Sequence, residues 1–151
     1  MSSHTLFVCK SCYFSPTQRD YMGERGGQHL LSKLLELHEQ WSLKSEFAIA
    51  EVECLSACKR PCAVALTAPN KTSLMFGDLQ PLESAADILK LCEKYRASNN
   101  GIVPRNERPE VLQKGILARI PAPIYQQKEK ISFTFKESKK IKIYNKYKEK
   151  L

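Results

Sequence analysis

Six cysteines occur in the 151-residue chain, and three of them recur at intervals of four in Cys54-Leu55-Ser56-Ala57-Cys58-Lys59-Arg60-Pro61-Cys62. Two more stand close together in Cys9-Lys10-Ser11-Cys12. Thiolates are the ligands of choice for zinc and for iron–sulfur clusters. Pro61 lacks an amide donor and pushes Arg60 toward extended conformations. The stretch therefore reads as a loop that enters a strand at Cys62, not as a helix with three thiols on one face. Such a loop can bring Cys54 and Cys58 onto one soft cation. Two thiols do not complete a site, and the Cys9–Cys12 pair is the obvious supplement. Cys62 stays open between ligand and packed thiol. Cys92 reads as a core thiol, because it shares one apolar helix face with Leu82, Ala85, Ile88, Leu89 and Tyr95.

The elements that must deliver these thiols are short apolar runs. Thr5 to Val8 is β-branched and aromatic, as expected of a strand that ends at Cys9. Phe47 to Val52 reads as a second strand and ends at Cys54. Between them, residues 13–27 read as a loop closing on Gly23-Glu24-Arg25-Gly26-Gly27. That segment lacks the Gly-Lys-Ser/Thr ending of a phosphate-binding loop, so it is expected to be a flexible connection. From Gln28 to Trp41, leucines at three- and four-residue intervals predict an amphipathic helix. His29 and His38 are nine steps of about 100° apart on it, so they lie on opposite sides and cannot share an ion. Cys62 to Ala68 predicts a central strand, Pro69-Asn70-Lys71 a turn, and Thr72 to Phe76 an antiparallel return. Pro81 suits the first turn of a second helix, which Ser98-Asn99-Asn100-Gly101 ends. The sum is a small α/β sandwich with a four-stranded mixed sheet, two main helices and a right-handed first crossover.

This division gives a metal- or cluster-binding domain over residues 1–98, a proline-containing wrap over 99–123 and a Lys-rich tail over 124–151. In the wrap, Glu110 to Lys114 predicts one helical stretch, and Arg105 and Arg108 read as surface residues that pair with carboxylates or dock an acidic partner. In the tail, Ile131, Phe133 and Phe135 alternate with polar residues, so a weak hairpin and disorder are both open. The net charge is +8. The tail holds 9 Lys against 3 Glu, which leaves 15 basic against 13 acidic residues, or +2, for the rest. Specific nucleic-acid binding is therefore not expected of the body. No apolar run is long enough to span a membrane. The absence of a secretion signal, with six cysteines, predicts a cytoplasmic protein whose thiols serve metal or redox chemistry.

The region from Leu6 to Tyr95 resembles the thioredoxin-like [2Fe-2S] ferredoxins. The likeness is sharpest at Cys54-Leu55-Ser56-Ala57-Cys58 followed by Pro61, which is similar to the Cys-Leu-Gly-Ala-Cys…Ala-Pro signature of that superfamily. The span from Leu6 to Pro123 resembles more closely an uncharacterised bacterial family of predicted metal-binding proteins. Phe76-Gly77-Asp78-Leu79, Gly101-Ile102-Val103-Pro104 and Arg108-Pro109-Glu110 carry that second likeness. The resemblance implies a thioredoxin-like fold and a [2Fe-2S] cluster held by Cys9, Cys54 and Cys58, with Cys12 as fourth ligand. It departs from the ferredoxins in the short Cys9–Cys12 spacing and in the additional Cys62, which is the alternative fourth ligand. It also implies a redox partner protein, and by family association a link to cobalamin biosynthesis. A homodimer is left open.

Three functions follow. The leading one is single-electron transfer or redox sensing for a partner enzyme, in which Lys59 and Arg60 either stabilise negative charge beside the cluster or keep an exposed loop soluble. The second is a four-cysteine zinc site that stabilises the fold or handles metal. The third is a Cys9–Cys12 thiol–disulfide oxidoreductase, which leaves Cys54 and Cys58 without a role. The spacing of histidines and carboxylates marks no hydrolase or transferase site.

Overall fold

The computed structural model describes residues 2–123. Strand β1 (His4–Cys9) is followed by two short strands, β2 (Asp20–Tyr21) and β3 (Glu24–Arg25), and by helix α1 (Gly26–Glu39). Then come β4 (Phe47–Val52), β5 (Val64–Thr67), β6 (Ser73–Phe76) and helix α2 (Ala85–Ala97). Two 3-10 turns, Arg105–Glu107 and Glu110–Leu112, lead into β7 (Ile116–Ile120). The main sheet runs β4-β1-β5-β6-β7. β1 and β4 are parallel, in register from His4↔Phe47 to Cys9↔Val52, and a parallel pair needs a long crossover, which α1 supplies. The remaining pairs are antiparallel. This order of strands and helices is a thioredoxin-like fold.

Alternation along the strands sets the core. Leu6, Val8, Val64, Leu66, Leu74 and Phe76 are buried, whereas Thr5, Phe7, Ala65, Thr67 and Met75 are only half-buried on the other face. Leu30, Leu31 and Leu34 of α1 and Ile88, Leu91, Cys92 and Tyr95 of α2 complete the buried layer. The two helices pack on one another, and Tyr95 meets His4 edge to face at 6.1 Å. Both helices thus cover the face that carries Leu6 and Val8. Burying one such leucine is worth roughly 1.5–3 kcal/mol. Cys92 is fully buried, as the helical spacing required.

Several expectations change. Among the described residues the sheet has five strands rather than four, because β7 pairs with β6. The run Ile116-Leu117-Ala118-Arg119-Ile120 outweighs the prolines on either side of it. Residues 20–25 form a hairpin across Met22-Gly23, both at positive φ (49° and 81°). Gly26 and Gly27 are the first turn of α1 rather than a flexible connection. A Cβ on Gly27 would collide with the Cys9 carbonyl oxygen, and one on Gly26 with that of Tyr13. Only glycine lets the helix start against this backbone. Leu82 precedes α2 and is exposed, and Glu110–Leu112 is a 3-10 turn rather than a longer helical stretch. The expected hairpin or disorder of the Lys-rich tail lies outside the described residues.

Candidate metal centre

Parallel pairing of β1 and β4 brings Cys9 and Val52 side by side at one end of the sheet, so the loops that follow emerge together. The Lys10 amide donates to the Val52 carbonyl at 3.0 Å, and the Cys9 amide to the Ala63 carbonyl at 3.1 Å. The Cys9 sulfur lies 3.9 Å from the Glu53 carbonyl oxygen, to which the Ser11 hydroxyl also donates. On the far side of the first loop, the Gly27 amide donates to the Cys12 carbonyl at 3.2 Å. The first turn of α1 therefore clamps the Cys9–Cys12 loop against the second loop.

Cys9 and Cys12 are both buried. Interaction with the neighbouring Cys12 thiol lowers the Cys9 thiol, with the Leu55 amide and Ser11 adding to the effect against burial. The same interaction, burial and the charge on Cys9 push the Cys12 thiol up. Of the two, Cys9 is the one that loses its proton first.

The second loop has no regular structure from Glu53 to Ala63, yet it is anchored. Ser56 sits at φ 58° and its amide donates to the Cys54 sulfur at 3.1 Å. The Arg60 amide closes a turn on the Ala57 carbonyl at 2.8 Å. Cys62 exchanges backbone hydrogen bonds with Leu79 at 3.1 and 3.4 Å, and the Asp78 amide donates to the Arg60 carbonyl at 3.0 Å. The Arg60 guanidinium forks onto the Asp78 carboxylate, Nε lying 2.9 and 2.7 Å from its two oxygens. Arg60 therefore ties the loop to Asp78, and its charge is neutralised there. Lys59 is exposed. Lys10 lies 2.7 Å from Glu53 and 3.6 Å from Glu51, so the charges around the thiols are largely balanced.

Cys54 and Cys58 are exposed, with their sulfurs 3.9 Å apart. Two thiolates bound at about 2.3 Å to one tetrahedral ion stand ~3.8 Å apart, so this pair already has the separation of two ligands on one metal. The Cys58 thiol is raised by its hydrogen bond to Cys54, by the charge there and, through space, by that on Cys9. Cys62 is fully buried and donates to the Tyr13 carbonyl at 3.5 Å. Burial, with the Cys9 charge, pushes its thiol up to about 12. Among the described residues no three His, Cys, Asp or Glu side chains converge on a single point. The thiols fall instead into two pairs at neighbouring loop ends, with Cys62 packed behind them and Cys92 in the core between the layers.

The histidines stand apart from this centre. His29 Nε2 is 2.7 Å from the Tyr21 carbonyl, and His38 Nε2 is 2.9 Å from that of Phe47, on opposite sides of α1. No helix among the described residues is long and apolar enough to cross a membrane. Sequence reasoning missed the part played by Gly26, Gly27 and Asp78 in holding the two loops. The Gly-Gly pair at the helix start was the legible signal for the first two.

No curated protein matches the chain in sequence. Among solved structures, it is similar to a thioredoxin-like [2Fe-2S] ferredoxin from Aquifex aeolicus, at 14% identity and a TM-score of 0.49, over 79% of this chain and 94% of that one. A second structure, the wild-type thioredoxin-like [2Fe-2S] ferredoxin of the same organism, is similar at 16% identity and a TM-score of 0.48, over 78% and 99% of the two chains. The family model described as protein of unknown function (DUF1636) matches residues 6–122, and the chain belongs to that family.

Proposed function

We propose that the chain is a thioredoxin-like ferredoxin, in which Cys9, Cys12, Cys54 and Cys58 hold a [2Fe-2S] cluster and serve single-electron transfer or redox sensing for a partner protein. The observation that carries this reading is the arrangement of the thiols as two close pairs on adjoining loops. Each iron of such a cluster takes two protein thiolates. The 3.9 Å separation of the Cys54 and Cys58 sulfurs suits one iron, and the neighbouring Cys9–Cys12 pair supplies the other two ligands. Cys12 gives up its proton on binding, so assembly is favoured by raised pH. When bound, the cluster supplies a one-electron redox step. Cys62 donates to the Tyr13 carbonyl and stands outside both pairs, which favours Cys12 over Cys62 as the fourth ligand.

One observation favours the thiol–disulfide reading: the Cys9 thiol is lowered to about 5 by its Cys12 partner, as in reactive Cys-x-x-Cys pairs. Cys9 is only 1% exposed, however, and an attacking thiolate must reach its substrate. A single zinc ion would suit the same four thiols. Iron, acid-labile sulfide and zinc measured in full-length protein purified without oxygen separate the three. The ferredoxin reading expects about two irons and two sulfides per chain, lost on Cys54→Ser or Cys58→Ser. Stoichiometric zinc without sulfide overturns it in favour of the zinc site. Disulfide-exchange activity that survives both substitutions overturns it in favour of the oxidoreductase.

A further inference from the structure

Arg108 does not behave as the surface arginine its sequence context suggests. It is 4% exposed, with its guanidinium 5.5 Å above the ring of the fully buried Phe76. Its Nε donates to the Val103 carbonyl at 2.9 Å, and its Nη2 is buried without any hydrogen-bond partner among the described residues. A guanidinium does not give up its proton in a protein. A buried charge with an unmet donor is costly unless a counter-ion completes it.

The fold sets two more arginines beside it. Arg105 and Arg108 are one 3-10 turn apart, joined by the Arg108 amide to the Arg105 carbonyl at 3.2 Å, and residues at i and i+3 of such a turn eclipse one another. Arg119 pairs in register with Leu74, so it rises from the same sheet face as Leu74 and Phe76. Both neighbours disfavour the charged form of Arg108, after burial, and no acidic group offsets them. Among the described residues none of the three arginines makes an ion pair. Of the acids in these segments, Asp78 holds Arg60, Glu107 lines a hollow with Lys94 and Val103, and Glu110 is exposed.

We infer that Arg105, Arg108 and Arg119 form a binding site for a tetrahedral oxyanion, a phosphate or the phosphoryl group of a small molecule, with the unpartnered Arg108 Nη2 as its floor. A phosphoryl group carries roughly −1.5 to −2 at neutral pH, which matches a cluster of three positive charges better than a single carboxylate does. Guanidinium forks bind its oxygens two at a time.

The test is a titration of the full-length protein with inorganic phosphate at constant ionic strength, followed by phosphorus NMR and by the thermal midpoint. Saturable binding that raises the midpoint is expected. Arg105→Gln and Arg119→Gln, both at exposed positions, should each weaken it by roughly tenfold while leaving the phosphate-free midpoint unchanged. Lys94→Gln should leave binding as it was. Arg108→Lys keeps the charge but loses the fork, and should weaken phosphate more than either single exposed change. The inference is overturned if no saturable binding is seen, or if the Arg105→Gln/Arg119→Gln double variant binds phosphate as the native chain does. A response to acetate equal to that for phosphate overturns the phosphoryl assignment.

Discussion

The Cys9 and Cys12 thiols are shifted in opposite directions, the first lowered and the second raised. A metal bound at the loops would find Cys9 the more readily deprotonated and would have to displace the proton of Cys12. Cys12→Ser should therefore abolish the visible chromophore or reduce it several-fold. Cys62→Ser should leave the chromophore in place, because that sulfur is sealed against the Tyr13 carbonyl. Absorbance per chain after anaerobic purification checks both, and a colourless Cys62→Ser protein would exchange the two assignments. The thiols and their approximate grouping were legible in the sequence from spacing alone. Which of them loses its proton first was not, because it depends on burial and on the groups around each thiol, which no spacing encodes. Arg108 is the sharper case: three charged or proline neighbours read as surface, and only its position over Phe76 reveals it as buried.

At the scale of elements, the start of α1 positions the first loop. Gly27→Ala drives a methyl group into the Cys9 carbonyl oxygen. Backbone atoms cannot yield as a side-chain tip would, so the substitution should cost about 1–3 kcal/mol and lower metal content as well, measurable by urea unfolding and metal analysis. Unchanged stability would mean that the helix start is not a clamp. A second prediction concerns β1. His4 stacks on Phe47 at 4.8 Å, and its ring is held below the ordinary 6.5 by burial and by Lys71 and Arg96, partly offset by Glu46. As pH falls below 6.5 the unfolded chain takes up the proton before the folded chain does. Stability should therefore rise with pH through the window just below 6.5 and be lost as acid passes down through it. His4→Phe should flatten that slope in urea titrations, and a slope identical to the native one would count against it.

Element boundaries show what the sequence could disclose. Phe47–Val52 was readable to the residue, because an apolar, alternating run ended at charged Glu53. α1 was expected at Gln28 and begins at Gly26, since two glycines argue against a helix wherever close packing is not yet known. β7 was obscured by Pro104, Pro109, Pro121 and Pro123, although Ile116 to Ile120, bounded by Gly115 and Pro121, has the composition of an edge strand.

Across the whole molecule, the thiol pairs occupy the end of the sheet where β1 and β4 finish, so the loops beyond these two strands carry the most concentrated chemistry. Among the described residues β1 and β5 are flanked on both sides, whereas β4 and β7 are edges. In hydrogen exchange the amides of β1 and β5 should open only with global unfolding, and those of β7 should exchange through smaller local openings. Equal protection across the five strands would show that β7 folds as one unit with the rest. Backbone hydrogen bonds pin those loops at Val52, Ala63 and Leu79.

The most direct test of this account is the visible and electron paramagnetic resonance spectrum of the full-length protein, purified without oxygen from iron-replete cells, before and after dithionite. A [2Fe-2S] centre on Cys9, Cys12, Cys54 and Cys58 predicts brown protein whose charge-transfer bands bleach on reduction as a one-electron paramagnetic signal appears. Colourless protein that is silent after reduction would contradict the ferredoxin reading and leave the thiols to zinc or to disulfide exchange.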